Sequence, residues 1–105
     1  LEVGKSDAKH GDYFLRVVGD SMVGSHIYED DLMFVQQCSK VNPGDISIVM
    51  IDGEVTIRKA YFKNKNLILV ASNLKYEDKY FNQDEIEQHH IQIIGKVLFV
   101  RKDFA

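Results

Sequence analysis

A serine lies in a short polar segment directly after an apolar run, and its hydroxyl could act as a nucleophile. The run covers residues 14–18, and the segment is Gly19-Asp20-Ser21-Met22. A serine hydroxyl attacks a carbonyl only when a base takes its proton. That base can be a histidine, or a lysine whose pKa is lowered by burial. Without such a base Ser21 is a turn residue, so both interpretations stay open on these residues alone.

The other residues that could bind metals or phosphates lack the required spacing. The chain has four histidines, which are His10, His26, His89 and His90. No Cys/His pattern resembles a zinc site, and the acidic runs 29–31 and 84–85 lack the alternating oxygen ligands of a calcium loop. No glycine-rich phosphate loop with a following lysine is present. We therefore predict no metal and no cofactor.

Composition limits the class of protein. The chain has 105 residues, of which 45% are hydrophobic and 28% charged, as in a single globular domain. Its net charge of −3 argues against a domain that grips DNA by itself. No stretch reaches the roughly 18 apolar residues of a membrane helix. The single cysteine, Cys38, permits no internal disulfide, and this fits a cytoplasmic protein without a membrane partner.

Short strand-like segments recur along the chain, and helical periodicity is nearly absent. The segments cover residues 13–18, 32–35, 46–51, 54–61, 67–71 and 90–100. Asp52-Gly53 predicts a tight hairpin turn, and Gly95 predicts a bulge or a close backbone approach. We predict a mainly β fold of short hairpin strands with little helix and a polar, loop-rich segment at residues 72–88. Residues 1–12 are predicted to be a linker remnant or N-terminal arm, and residues 13–105 the domain.

Four segments follow one another in a distinctive order. They are "YFLRVVGDSM", "IYEDDLMFVQQ", "VNPGDISIVMIDGEVTIRKAYF" and "IIGKVLFVRKDF". This order resembles the C-terminal, serine–lysine peptidase-like domain of LexA-type and prophage repressors, over residues 13–103. The resemblance implies a LexA/signal-peptidase-like β fold that dimerises and cuts its own chain upstream. It also implies that Ser21 is the nucleophile and that the backbone N–H groups of Asp20 and Ser21 are the oxyanion donors.

The base position departs from the pattern of that family. The family's lysine directly follows a Val-Thr-(Val/Ile) run after the "DGE" turn, but here Arg58 holds that position and Lys59 comes one residue later. A guanidinium cannot accept the proton, because its pKa stays above about 12 and it has no lone pair to offer. Neighbours on a strand point to opposite faces. If the even-numbered residues of 54–58 face Ser21, the odd-numbered residues of 55–59 face away.

Three interpretations follow. In the first, the dyad is inactive and the fold serves dimerisation and partner binding. In the second, a bulge near Gly53 or Ala60 shifts the strand so that Lys59 reaches Ser21, and RecA filaments trigger self-cleavage. In the third, Ser21 is only a turn residue and the likeness concerns the fold. The missing base favours the first, a repressor domain whose self-cleavage is lost or impaired.

The resemblance also implies partners. DNA would be bound by an N-terminal helix-turn-helix domain outside this chain, and an antirepressor protein or RecA would relieve repression. We expect a homodimer through residues 91–100, with exposed apolar side chains such as Ile93 or Leu98. Because no Ala-Gly or Cys-Gly bond occurs, we expect a cleaved product or a chain that begins after the linker.

Two further classes of protein are compatible with parts of the sequence. A signal-peptidase-like enzyme shares the serine–lysine chemistry, but it needs a membrane anchor, and Val23 stands here where a proline is expected. A β-domain binding module with no protease ancestry would account for the strands and would leave Ser21 without a chemical role.

Overall fold

The computed structural model describes residues 12–102, which form one seven-stranded antiparallel sheet. The strands are β1 (Asp12–Arg16), β2 (Leu32–Gln37), β3 (Ile46–Ile51), β4 (Glu54–Lys63), β5 (Asn66–Val70), β6 (Lys79–Phe81) and β7 (Gln92–Arg101). One α-helix, α1 (Gln83–Gln88), lies between β6 and β7, and a 3-10 turn covers Val23–Ser25. The order across the sheet is β1-β2-β7-β3-β4-β5-β6. The predicted mainly β class with little helix is confirmed.

The hairpin between β3 and β4 closes at the predicted dipeptide. Asp52 and Gly53 have φ values of 51° and 81°, as the two central residues of a type I′ turn require. The β3–β4 pairing then runs without interruption to the pair of Ile46 and Lys59. The β4–β5 pairing is also continuous. The bulge that the second interpretation needs near Gly53 or Ala60 is therefore absent from β4.

Two apolar clusters cover opposite faces of the sheet. The first contains Leu15, Val17, Met22, Ile27, Met33, Val35, Ile48 and Ile57. The second contains Val49, Ala60, Leu67, Leu69, Ile91 and Ile93. Leu15 on β1 and Ile57 on β4 share the first cluster although three strands separate them in the sheet. The sheet therefore curls, and this curl brings the end of β1 toward β4.

Gly95 allows a close approach of β7 to its neighbours, as predicted. A Cβ atom there would lie 2.8 Å from the Tyr13 hydroxyl and closer still to a methyl group of Val35. The pairing of β7 shifts register once against β2 and once against β3. Such bulges bend a strand, so they contribute to the curl of the sheet.

The segment predicted to be loop-rich, residues 72–88, contains β6 and α1, and that prediction was wrong for these elements. The missed signal is a capping box. Asn82 Oδ1 accepts from the Glu85 N–H at 2.8 Å, and Glu85 Oε1 accepts from the Asn82 N–H at 3.0 Å.

Asp12, predicted to belong to the arm, is the first residue of β1. The rest of the predicted arm, residues 1–11, lies outside the described residues. Within residues 12–102, no helix has the length and apolar character needed to cross a membrane.

Candidate active site

The backbone around Ser21 is held by a second loop that follows β5. The Ser72 N–H donates to the Ser21 carbonyl at 2.8 Å, and the Asn73 side-chain amide donates to the Asp20 carbonyl at 2.9 Å. The Gly24 N–H donates to the Ser72 carbonyl at 2.6 Å. A Cβ at Gly24 would lie only 2.6 Å from that carbonyl oxygen, so glycine permits the contact. Long-range hydrogen bonds thus fix the main chain on both sides of Ser21.

Ser21 is 8% exposed and lines a cleft of about 350 Å³. Within residues 12–102, neither its hydroxyl nor its backbone N–H takes part in a hydrogen bond. The hydroxyl therefore has no acceptor for its proton in this part of the chain. Both groups are available as donors to a molecule in the cleft.

The walls of the cleft come from strands that lie apart in the sheet and meet because the sheet curls. They are formed by residues 15–21, Met33, Ile48, residues 55–58 and Tyr76. Residues 55–58 of β4 all line the cleft, including Val55 and Ile57, which the parity argument had placed on the side away from Ser21. Strand β5 ends at Val70, opposite Lys59. The preceding part of β4 has no β5 residue paired to it, and the cleft lies across this open edge.

Arg58 lies in the cleft with Ser21, half-buried and held by neutral groups. Its Nη1 donates to the Ile57 carbonyl at 2.7 Å and to Thr56 Oγ1 at 3.1 Å. Its guanidinium carbon is 5.4 Å from the centroid of the Tyr76 ring, which is cation–π geometry. Burial lowers the pKa of the guanidinium, and the charge interaction with Tyr76 opposes this change. An arginine nevertheless stays protonated in proteins, so Arg58 supplies hydrogen-bond donors only.

Asp20 connects the serine loop to Tyr76 and to a lysine. The Lys75 Nζ lies 2.6 Å from one carboxylate oxygen, and the Tyr76 hydroxyl donates to the other at 2.5 Å. The hydrogen bond from Lys75, followed by that from Tyr76, lowers the pKa of the Asp20 carboxyl. The bond to Asp20 in turn raises the pKa of the Tyr76 hydroxyl. Tyr76 thus contacts both Arg58 and Asp20. It lies in the segment predicted to be loop-rich, and no short sequence pattern pointed to it.

Lys59 does not line the cleft. Its backbone is paired on both sides, with Ile46 of β3 and Val70 of β5, and its side chain is half-buried. Of the described residues, no lysine or histidine lines the cleft. Within the same part of the chain, no group of three His, Cys, Asp or Glu side chains could hold a metal ion.

The residues proposed for dimerisation separate into a buried and an exposed one. Ile93 is 5% exposed and packs in the second apolar cluster, so the expectation of an exposed side chain there was wrong. Leu98 is 46% exposed, and Phe99 beside it is 53% exposed.

A row of three phenylalanines lies beside Leu98 and was missed from the sequence. Phe14, Phe34 and Phe99 face one another across β1, β2 and β7, with ring centroids 5.0 Å apart in each adjacent pair. Each of the three stands in a segment predicted as a strand. Their alignment required the strand order and the register, which the sequence did not supply.

Comparison with known proteins identifies similar sequences over most of the chain. The family described as Peptidase S24-like matches residues 1–98. The chain is 38% identical over 91 residues to the LexA repressor of Citrifermentans bemidjiense, a match covering 87% of this chain and 44% of that protein. It is 33% identical over 102 residues to the LexA repressor of Thermotoga petrophila, covering 95% and 49%. The chain spans less than half the length of these relatives.

Proposed function

This chain belongs to the Peptidase S24-like family, and we propose that it is the C-terminal oligomerisation and regulatory domain of a LexA-like repressor of prophage type. Self-cleavage in this domain is lost or impaired. The observation that carries the proposal is that Ser21 and Arg58 line one cleft that no described lysine or histidine lines. The fold and the serine loop are kept, whereas no described lysine or histidine is placed to accept the proton.

Peptide hydrolysis by a serine needs two functions, and the described residues of this cleft provide candidates for only one of them. The first is stabilisation of the oxyanion, for which the backbone N–H groups of Asp20 and Ser21 are the candidate donors. The second is removal of the hydroxyl proton as the oxygen attacks the carbonyl carbon. Arg58 cannot perform the second step because it is a donor only. The cleft can therefore hold a peptide and polarise a carbonyl, but it cannot activate Ser21.

The competing hypothesis is an active Ser21/Lys59 peptidase triggered by RecA. It requires β4 to change register, since Lys59 does not line the cleft while its backbone is paired with Ile46 and Val70.

A signal-peptidase-like enzyme and a plain binding module are less well supported. The enzyme would need the same serine–lysine pair, so the absence of a described lysine from the cleft counts against it as well. The serine loop and its contacts to residues 72–76 favour a repressor domain over the binding module, because a simple turn needs no such support.

The proposed regulatory role depends on self-association. The exposed end of β7, with Leu98 and with Phe99 of the row of phenylalanines, is the proposed homodimer surface. A dimer joins two DNA-binding modules and raises their affinity for a two-fold operator. Those modules would be helix-turn-helix domains in the part of the relatives' length that this chain does not span. An antirepressor protein, or RecA if cutting persists, would relieve repression in the cytoplasm.

The test is incubation of the full-length protein at alkaline pH, where a lysine base would lose its proton. We expect no cutting of the native protein and Ser21-dependent cutting of Arg58→Lys, which restores an amine at the base position. Arg58→Lys combined with Ser21→Ala is the control and should stay intact. Cutting of the native protein that Lys59→Ala abolishes and Arg58→Ala leaves unchanged would establish the competing hypothesis.

A further inference from the structure

Among the described residues, no carboxylate balances the positive charge that Arg58 brings into the cleft. Its contacts are a hydroxyl, a backbone carbonyl and an aromatic ring. Within residues 12–102, no carboxylate forms an ion pair with it. Removing a charge from water is costly, so buried charges in proteins are ordinarily paired. A half-buried guanidinium without a carboxylate partner at the wall of a cleft is therefore able to bind an anionic ligand.

The other charges at the cleft do not satisfy Arg58. Asp20 is the only acidic residue among the described residues that line it. The Asp20 carboxylate is already engaged by Lys75 at 2.6 Å and by the Tyr76 hydroxyl at 2.5 Å. Among the described residues of the cleft, no carboxylate is thus left to pair with Arg58.

The remaining walls suit a polypeptide rather than a small inorganic anion. Leu15, Val17, Met33 and Ile48 form an apolar floor, and the edge of β4 at residues 55–58 is open toward the cleft. An extended chain can pair with such an edge while its side chains rest on apolar surface. Ser21, only 8% exposed, offers an unpartnered hydroxyl and N–H beside this edge.

We propose that the cleft binds an extended peptide through a carboxylate placed between Arg58 and Ser21, and retains that peptide uncut. The planar guanidinium matches the two carboxylate oxygens. The hydroxyl and N–H of Ser21 donate to the lone pairs of these oxygens that Arg58 leaves free. The inference rests on the proposed function, in which Arg58 replaces the base. The carboxylate belongs either to the end of a chain or to an aspartate or glutamate side chain.

Three peptides of equal length test the proposal by calorimetric titration of the native chain. They are N-acetyl-Val-Ala-Val-Ala with a free carboxylate, the same peptide as its amide, and N-acetyl-Val-Asp-Val-Ala amide. We expect at least one acidic peptide to bind about tenfold or more tightly than the neutral amide, as for a hydrogen bond to a charged group. Preference for the first identifies a chain end, and preference for the third identifies a side chain. Equal affinity of all three, or no binding, overturns the proposal.

A pair of variants assigns the selectivity to Arg58. Arg58→Gln should abolish the preference for the acidic peptide, whereas Lys63→Gln, at the exposed end of the same strand, should leave it unchanged. Retention of the preference in Arg58→Gln also overturns the proposal. The result is independent of the cleavage test, since calorimetry reports peptide binding and not hydrolysis of the chain. Conversely, gain of cutting in Arg58→Lys without peptide selectivity would overturn this inference and leave the proposed function intact.

Discussion

The Arg58 guanidinium lies over the ring of Tyr76, 5.4 Å from its centroid, and the same tyrosine donates its hydroxyl to Asp20. The residue at the base position is thereby joined to the residue before the serine. Tyr76 lies on neither segment that carries these groups. A single side chain from the loop after β5 thus connects the two halves of the cleft.

Replacement of Tyr76 should loosen the serine loop in two steps. Tyr76→Phe removes the bond to Asp20 but keeps the ring against Arg58, and Tyr76→Ala removes both. We expect faster amide hydrogen exchange at residues 20–25 in Tyr76→Phe, and a larger increase in Tyr76→Ala. Tyr80→Phe, at an exposed tyrosine of β6, is the control. Unchanged exchange in Tyr76→Ala would show that the loop does not depend on this residue.

The Asp20 cluster should make stability depend on acid pH. The pKa of Asp20 is lower in the folded chain than the value of about 3.9 expected when unfolded. Its contribution is therefore present above that value and is lost as the pH falls through the folded pKa. The effect should be small, because the side chains of Asp20 and Lys75 are 43% and 61% exposed.

The measurement is the free energy of unfolding in urea at pH 7 and pH 3. Asp20→Asn should be less stable than the native chain at pH 7, and the difference should shrink at pH 3. Asp78→Asn is the control, since Asp78 is exposed and forms no ion pair within residues 12–102. A difference that is the same at both pH values would contradict the assigned role of the Asp20 carboxylate.

Gly95→Ala should destabilise the fold through overpacking. The added methyl would press on Val35 and on the Tyr13 hydroxyl, and such insertions typically cost about 1–3 kcal/mol. Val35→Ala in the same chain should relieve part of this cost. Chemical denaturation of both single variants and the double variant measures the coupling. Strict additivity of the two changes would show that Val35 does not limit the space at Gly95.

Charging the exposed end of β7 should separate the proposed dimer. Leu98→Asp places a carboxylate on the surface beside Phe99, and burying that charge at an interface is costly. Sedimentation equilibrium should report a dimer for the native chain and a monomer for the variant. Leu74→Asp changes a fully exposed leucine in a loop and should leave the dimer intact. A dimer that survives Leu98→Asp would exclude this surface.

The sequence by itself determined the local features of this protein. Apolar alternation and turn residues located most of the strands, and Asp52-Gly53 located a hairpin whose positive φ values depend only on those two residues. It also supplied the order of segments that indicated the family. The short helix escaped because its capping box at Asn82 and Glu85 lies in a polar segment without strong periodicity.

Only the tertiary structure decided which residues meet. Strand parity predicted that Ile57 and Arg58 lie on opposite sides of β4. Both residues nevertheless line the cleft, in the part of β4 to which no β5 residue is paired. The burial of Ile93 depended likewise on which face of β7 lies over the second cluster. These outcomes follow from the curl of the sheet and from hydrogen bonds between distant loops. Local preferences of the chain do not encode such contacts, because they depend on how whole strands pack.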